Sequence, residues 1–158
     1  MPYTILLPNK FKKIGWIILV PAAILGIILI VNGFDAMPIK AKVFALYNDQ
    51  ILGKRESFTF INTNITNTII GMLFIAGAVF VGFSREKKED EFIANLRLSS
   101  LLWAVFVNYI LLFLAFAFIY NMAFLVVMMY NMFTIMIIFI VRFNYILYRN
   151  SKSLEDDK

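Results

Sequence analysis

Cysteine and histidine are both absent from the chain, and charged residues are scarce. The first two absences exclude disulfides, zinc sites built from cysteine and histidine, haem with an axial histidine, thiol nucleophiles and histidine-based catalytic triads. Charged residues make up 16% of the 158 residues, against about 25% in soluble domains. Hydrophobic residues make up 61%. Composition therefore excludes a water-soluble globular domain and predicts a small integral membrane protein.

Long stretches without charge predict where the chain crosses the bilayer. They cover residues 14–34, 57–84 and 98–141. A bilayer core about 30 Å thick needs about 20 helical residues, so the first stretch predicts one span and the last is long enough for two. The last stretch must therefore fold back. Tyr120-Asn121 is the best position for the turn, because asparagine tolerates the left-handed backbone conformation.

These stretches predict an all-α membrane protein with four transmembrane helices in a single domain. The helices cover about residues 14–33, 67–84, 86–119 and 123–148. The third helix is expected to begin near Glu86, in a cytoplasmic extension ahead of its membrane span. The first helix contains Pro21 and is longer than the hydrophobic region of a cleaved signal peptide, which is about 7–15 residues. We therefore expect an uncleaved first span, kinked or distorted at Pro21.

The loop of residues 35–66 between the first two helices has a strand-like pattern. Lys40–Tyr47 and Ser57–Ile61 are rich in β-branched and aromatic residues, and Asn48–Gln50 with Gly53 provides turn residues between them. A small β-hairpin is therefore predicted. It could face a ligand or partner, or it could simply connect and shield the helix ends. Because a lone hairpin is only marginally stable in water, we expect it to pack on another part of the protein.

The distribution of lysine and arginine predicts the orientation of the chain. Four spans place both termini and the loop between helices two and three on one side of the membrane. That side carries eleven of the 15 basic residues. By the positive-inside rule, both termini are predicted to be cytoplasmic and the hairpin loop exoplasmic. The net charge of +5 follows from this asymmetry, so it is not evidence for a nucleic-acid partner.

A mixed-charge segment, Arg85–Glu91, precedes the third membrane span. Its acidic residues could serve only to stabilise the positive end of the helix dipole. In the alternative interpretation, the segment and the arginine that follows it form a surface that docks a partner protein. The candidate docking residues are Lys87, Lys88, Glu91 and Arg97.

Several polar side chains are predicted to lie inside the bilayer, in helices three and four. The candidates for contacts between these helices are Asn108, Tyr130, Asn131 and Thr134. Folding the two helices about the turn brings Asn108 level with Thr134 and about one helical turn from Asn131. A hydrogen bond from Asn108 to either residue is therefore predicted, contributing about 0.6 kcal/mol on average. These side chains could pack the helices together or line a polar pocket for a lipid or small ligand, and we expect packing.

Two further patterns concern small and sulfur-containing side chains. Ala78 and Gly82 are four residues apart on helix two, so one face of that helix can approach another helix closely. Met128, Met132 and Met136 recur every four residues on helix four. Thioethers can hold Cu(I), but methionine is also the usual filler of irregular helix contacts. We expect packing in both cases, and we predict no metal or cofactor site.

Several segments together resemble a known group of proteins. They are Ser84–Ala94, Leu96–Leu101, Trp103-Ala104, Tyr130–Thr134, Arg142–Asn144, Leu147–Asn150 and Phe58–Ile61. The chain resembles, over most of its length, small uncharacterised integral membrane proteins of Bacteroidetes. The resemblance implies four spans and a location in the bacterial inner membrane. It includes no catalytic motif and implies no activity.

Two classes of function fit these patterns. The first is a non-enzymatic accessory or regulatory membrane protein, which presents its cytoplasmic face to a membrane or cytoplasmic partner protein or to a second copy of itself. The second is a transporter or channel component that forms a pore by oligomerising. We expect the first, because no ionisable residue lies near the middle of any predicted span, and such residues mark many ion and proton pathways. An enzyme is not predicted.

Overall fold

The computed structural model describes residues 6–33, 39–48, 56–87 and 89–156. It is mostly helical, with two strands between the first and second helices. The elements are α1 (Lys10–Asn32), β1 (Lys40–Asn48), β2 (Glu56–Asn64), α2 (Thr66–Phe83), α3 (Glu91–Phe118) and α4 (Asn121–Asp156). Within the described residues, all four helices are long and apolar enough to cross a membrane. The prediction of a mostly helical chain, with four helices able to cross a membrane and a small hairpin, is therefore confirmed.

The bounds of three helices differ by several residues from the expected ones. α1 begins at Lys10 rather than near residue 14. α3 begins at Glu91 rather than near Glu86, because Asp90 caps it: the Asp90 side chain accepts a hydrogen bond from the backbone nitrogen of Ile93 at 2.8 Å. The residues before Asp90 are therefore free to turn back on themselves, and the side chain of Glu89 accepts from the nitrogen of Glu86 at 2.8 Å. α4 is longer than predicted, since it continues past residue 148 to Asp156.

The chain divides into two compact units. We call Met1–Ile17 with Ile75–Lys158 the rim unit, and Ile18–Phe74 the hairpin unit. The start of α1 and the end of α2 belong to the rim unit, and the rest of both helices belongs to the hairpin unit. Pro21 lies inside α1, which continues through it as one helix.

The hairpin unit contains β1 and β2 as an antiparallel pair, with Phe44 opposite Phe60. The base of the hairpin is fixed to the first turn of α2. The nitrogen of Ile39 donates to Oγ1 of Thr66 at 3.0 Å, and the nitrogen of Ile65 donates to the carbonyl of Ile39 at 3.0 Å. The predicted turn residues Asp49, Gln50 and Gly53 lie outside the described residues.

The rim unit contains the helical hairpin of α3 and α4. The turn falls at the position that the sequence favoured: α3 ends at Phe118, and Asn121 has a φ of 59°, in the left-handed region that asparagine tolerates. The nitrogen of Ile119 donates to the carbonyl of Ala115 at 2.9 Å, which closes the end of α3.

Small residues allow close helix packing in the core of the rim unit. Ala78 of α2 is completely buried. A Cβ atom built on Gly82 would lie 2.6 Å from the ring of Phe139 in α4, and one built on Gly15 would lie 2.8 Å from the backbone of Val81. Larger residues at either glycine would therefore force the helices apart.

Candidate functional site

The start of α1 is tied to the chain that follows α2, within the rim unit. The nitrogen of Leu7 donates to the carbonyl of Phe83, and the nitrogen of Arg85 donates to the carbonyl of Leu7, both at 2.9 Å. The side-chain amide of Asn9 donates to the carbonyl of Arg85 at 2.6 Å. These bonds bring the lysines at the start of α1 next to the mixed-charge segment before α3.

Arg97 is the buried centre of this end of the unit, with only 7% of its surface exposed. Its guanidinium donates to both carboxylate oxygens of Glu89, at 2.7 and 3.2 Å, and to the carbonyl of Ser84 at 3.2 Å. A two-point pairing between arginine and a carboxylate fixes geometry as well as charge. The arginine therefore holds both ends of the segment between α2 and α3.

The charge state of Glu89 depends on these contacts. Burial raises the pKa of the Glu89 carboxyl, but the hydrogen bonds from Arg97 and from the backbone of Glu86, together with the positive charges of Arg97 and Arg85, lower it by more. The pKa therefore lies below its ordinary value of 4.5, and the carboxylate is ionised at neutral pH.

Phe143 of α4 contacts two cations at this end of the rim unit. The ring is 1% exposed. Its centroid lies 5.2 Å from the guanidinium carbon of Arg97 and 5.9 Å from Nζ of Lys12, distances at which a cation is attracted to the face of a ring. Lys12 also forms an ion pair with Glu86. We call Lys12, Glu86, Glu89, Arg97 and Phe143 the charged rim.

The four candidate docking residues have different positions in the structure. Lys87 and Glu91 are exposed, on either side of the cap of α3. Arg97 is buried and already bonded within the chain, so its role in the structure is to support the surface rather than to face a partner. Lys88 lies outside the described residues. The candidate surface therefore consists of Lys87, in the segment before α3, and Glu91, at the start of α3. The charged rim supports this segment through internal bonds.

Sequence reasoning missed four members of the charged rim: Lys12 and Glu86 as an ion pair, Glu89 as the partner of Arg97, and Phe143 as the ring that both cations contact. Lys12 and Phe143 are far from the mixed-charge segment in sequence, and only the folded chain brings them together. Glu89 carried a local signal, since it lies beside Asp90, a good helix cap. A cap at Asp90 would have placed Glu89 outside the helix and free to turn back toward Arg97.

Among the predicted intramembrane polar residues, Asn108 bonds across the helices and Thr134 bonds within its own helix. Asn108, which is 1% exposed, and Asn131 exchange two side-chain hydrogen bonds, at 3.1 and 3.3 Å. Thr134 instead donates to the carbonyl of Tyr130 at 3.1 Å, within its own helix. Of the two partners that the sequence allowed for Asn108, the structure therefore selects Asn131.

Of the methionine stripe, Met128 and Met132 are exposed and Met136 is half-buried. The expected packing role therefore stays a prediction for the two exposed residues. α3 and α4 also meet nearer the charged rim. There the guanidinium carbon of Arg142 lies 4.6 Å from the centroid of the Trp103 ring. No group of three or more acidic residues that could hold a metal ion occurs in the described part of the chain.

The four apolar helices and the charged end of the rim unit define a multi-pass membrane protein. Comparison of the chain with protein-family models, curated proteins and solved structures gave no match. The resemblance to membrane proteins of Bacteroidetes therefore stays a prediction.

Proposed function

We propose that this is a non-enzymatic accessory or regulatory protein of the bacterial inner membrane, which docks a partner protein through the segment between α2 and α3. The observation that carries the proposal is how this segment is held. Arg97 bonds to Ser84 and Glu89, Asn9 bonds to Arg85, and Lys12 bonds to Glu86, whereas Lys87 and Glu91 are exposed.

A segment fixed in this way is suited to recognition. Binding a partner with a mobile loop costs conformational entropy, and a loop already held by internal contacts avoids part of that cost. Exposed charges at the edge of an interface affect encounter rate and specificity more than they affect folding. The two sets of residues thus have separate roles. The internal bonds of the charged rim fix the shape of the segment, and the exposed charges of Lys87 and Glu91 recognise the partner.

The proposed orientation has both termini and the charged rim in the cytoplasm. Its support is the excess of lysine and arginine on this side, which the positive-inside rule assigns to the cytoplasm. The segment between α2 and α3 would then meet cytoplasmic proteins or the cytoplasmic parts of membrane proteins.

Site-specific photo-crosslinking in living cells tests the docking proposal. A photoreactive residue at position 87 or 91 should give the same crosslinked product, whereas one at Lys152, also exposed in the rim unit, should not. Lys87→Glu should weaken the product formed from position 91 several-fold, and Lys152→Glu should leave it unchanged.

The main competing function is a transporter or channel component. That function predicts ion or solute flux through liposomes that contain only the purified protein. Such flux, together with no crosslinked product from positions 87 and 91, would contradict the docking proposal.

A further inference from the structure

We propose that a groove beside the charged rim binds the headgroup of an anionic phospholipid. The groove has a volume of about 520 Å³ and lies entirely within the rim unit. Its charged lining includes Lys12, Lys13 and Lys87, and its apolar lining consists of Trp16, Ile93 and Leu147. Residues from α1, α3, α4 and the segment before α3 therefore contribute to one site.

The charge of the groove is positive after internal pairing is counted. Glu86 also lines the groove, but it is paired with Lys12. Lys13 and Lys87 form no ion pair with any other described residue, and both are exposed. Two positive charges are thus available to a phosphate, while Lys12 and Glu86 neutralise each other.

The depth of the groove matches the headgroup region of a bilayer. Lys13 is the last charged residue before the apolar stretch of α1, and Trp16 lies just inside that stretch. Tryptophan prefers the membrane–water interface, where its ring is in the apolar region and its N–H is near water. Lys13 therefore lies at the level of the lipid phosphates, and Trp16 lies at the level of the first acyl carbons.

These features favour a lipid over a free phosphate ion. Basic pockets between membrane helices bind anionic headgroups through their phosphates. A free ion would use the lysines alone, whereas a phospholipid would also cover the exposed ring of Trp16 and the half-buried side chain of Leu147. The combined charged and apolar lining thus fits one phospholipid with a net negative headgroup, such as phosphatidylglycerol.

Quenching of Trp16 fluorescence by brominated lipids tests this directly. The chain has two tryptophans, so Trp103→Phe leaves Trp16 as the only one and keeps a ring next to Arg142. The full-length variant is placed in phosphatidylcholine vesicles that contain a minor fraction of either brominated phosphatidylglycerol or brominated phosphatidylcholine. We expect phosphatidylglycerol to bind next to Trp16 about five-fold or more tightly than phosphatidylcholine does. One lysine near an anionic headgroup produces an effect of this size.

Matched charge variants test which lysines produce the preference for phosphatidylglycerol. In the Trp103→Phe background, Lys13→Gln with Lys87→Gln should bring the lipid preference close to one. Lys10→Gln with Lys152→Gln removes the same charge from exposed sites outside the groove and should leave the preference intact. Circular dichroism checks that each variant keeps its helix content.

Three results would overturn the proposal. They are equal quenching by the two brominated lipids, an equal loss of preference in the two pairs of variants, and loss of preference when millimolar inorganic phosphate is added. The last result would indicate a site for free anions. Because both leaflets of the vesicles have the same composition, the result does not depend on the orientation of the protein or on a partner protein, so it is independent of the proposed function.

Discussion

The charged rim and the hairpin are built in different ways. The charged rim depends on side chains that are far apart in sequence, such as Lys12 with Glu86 and Arg97 with Phe143. The hairpin depends on a backbone ladder between β1 and β2, and it leaves aromatic side chains such as Phe60 exposed. A single side chain should therefore matter much more at the charged rim than in the hairpin.

The largest effect is expected when the buried arginine loses its partner. Glu89→Leu leaves the guanidinium of Arg97 buried without a carboxylate, and we expect it to lower the free energy of unfolding by about 2–3 kcal/mol. Thermal or denaturant unfolding in mild detergent measures the change. Glu91→Leu, at an exposed position in the first turn of α3, is the control and should lower stability by less than about 1 kcal/mol. Equal losses in the two variants would mean that Arg97 does not depend on Glu89.

Acid should weaken the same pair without any substitution. The pKa of Glu89 lies below its ordinary value of 4.5, so its ionisation stabilises the folded state. This contribution is fully present above 4.5 and is lost as the pH falls through the lower pKa of the folded protein. Comparing the acid dependence of unfolding in the native chain and in Glu89→Gln isolates it, since the variant lacks the titrating group. Identical acid dependence in the two proteins would argue against the pairing.

The Asn108–Asn131 contact should have a smaller effect. Asn108→Leu is expected to loosen α3 from α4 by no more than about 1–2 kcal/mol, and a double-mutant cycle with Asn131→Leu should give a coupling energy of about 0.6–1.7 kcal/mol. Unfolding of the four proteins in detergent measures this. If Asn108→Leu instead abolished function and left stability unchanged, a ligand pocket would explain the two asparagines better than packing.

The smallest effect is expected in the hairpin. The rings of Phe44 and Phe60 are opposite each other across the strands, with centroids 5.3 Å apart. Phe60→Ala should therefore cost the hairpin only about 0.2–1 kcal/mol, the usual contribution of a cross-strand pair. Hydrogen exchange of peptides from β1 and β2 should speed up modestly, while the unfolding temperature of the whole chain stays the same. A large drop in that temperature would show that the hairpin supports the helices more than its exposed face indicates.

The same contrast explains what the sequence could predict. The membrane helices follow from long charge-free stretches, the hairpin from β-branched and aromatic residues, and the tight turn from Asn121, because each signal is local. The start of α3 was misplaced because a continuous helical pattern obscured the cap at Asp90. The pairs of Lys12 with Glu86 and of Arg97 with Phe143 could not be predicted, since each joins residues that are far apart in sequence.

The proposed orientation, with the charged rim in the cytoplasm and the hairpin exoplasmic, is tested most directly by site-specific labelling of cysteines. The chain has no cysteine, so each introduced thiol is the only one that can react. Lys42→Cys in β1 and Lys87→Cys beside the charged rim both replace exposed side chains. An impermeant maleimide added to cells whose outer barrier has been opened should label Lys42→Cys at once, and Lys87→Cys only after the inner membrane is disrupted. Labelling of Lys87→Cys while that membrane is intact would contradict the account.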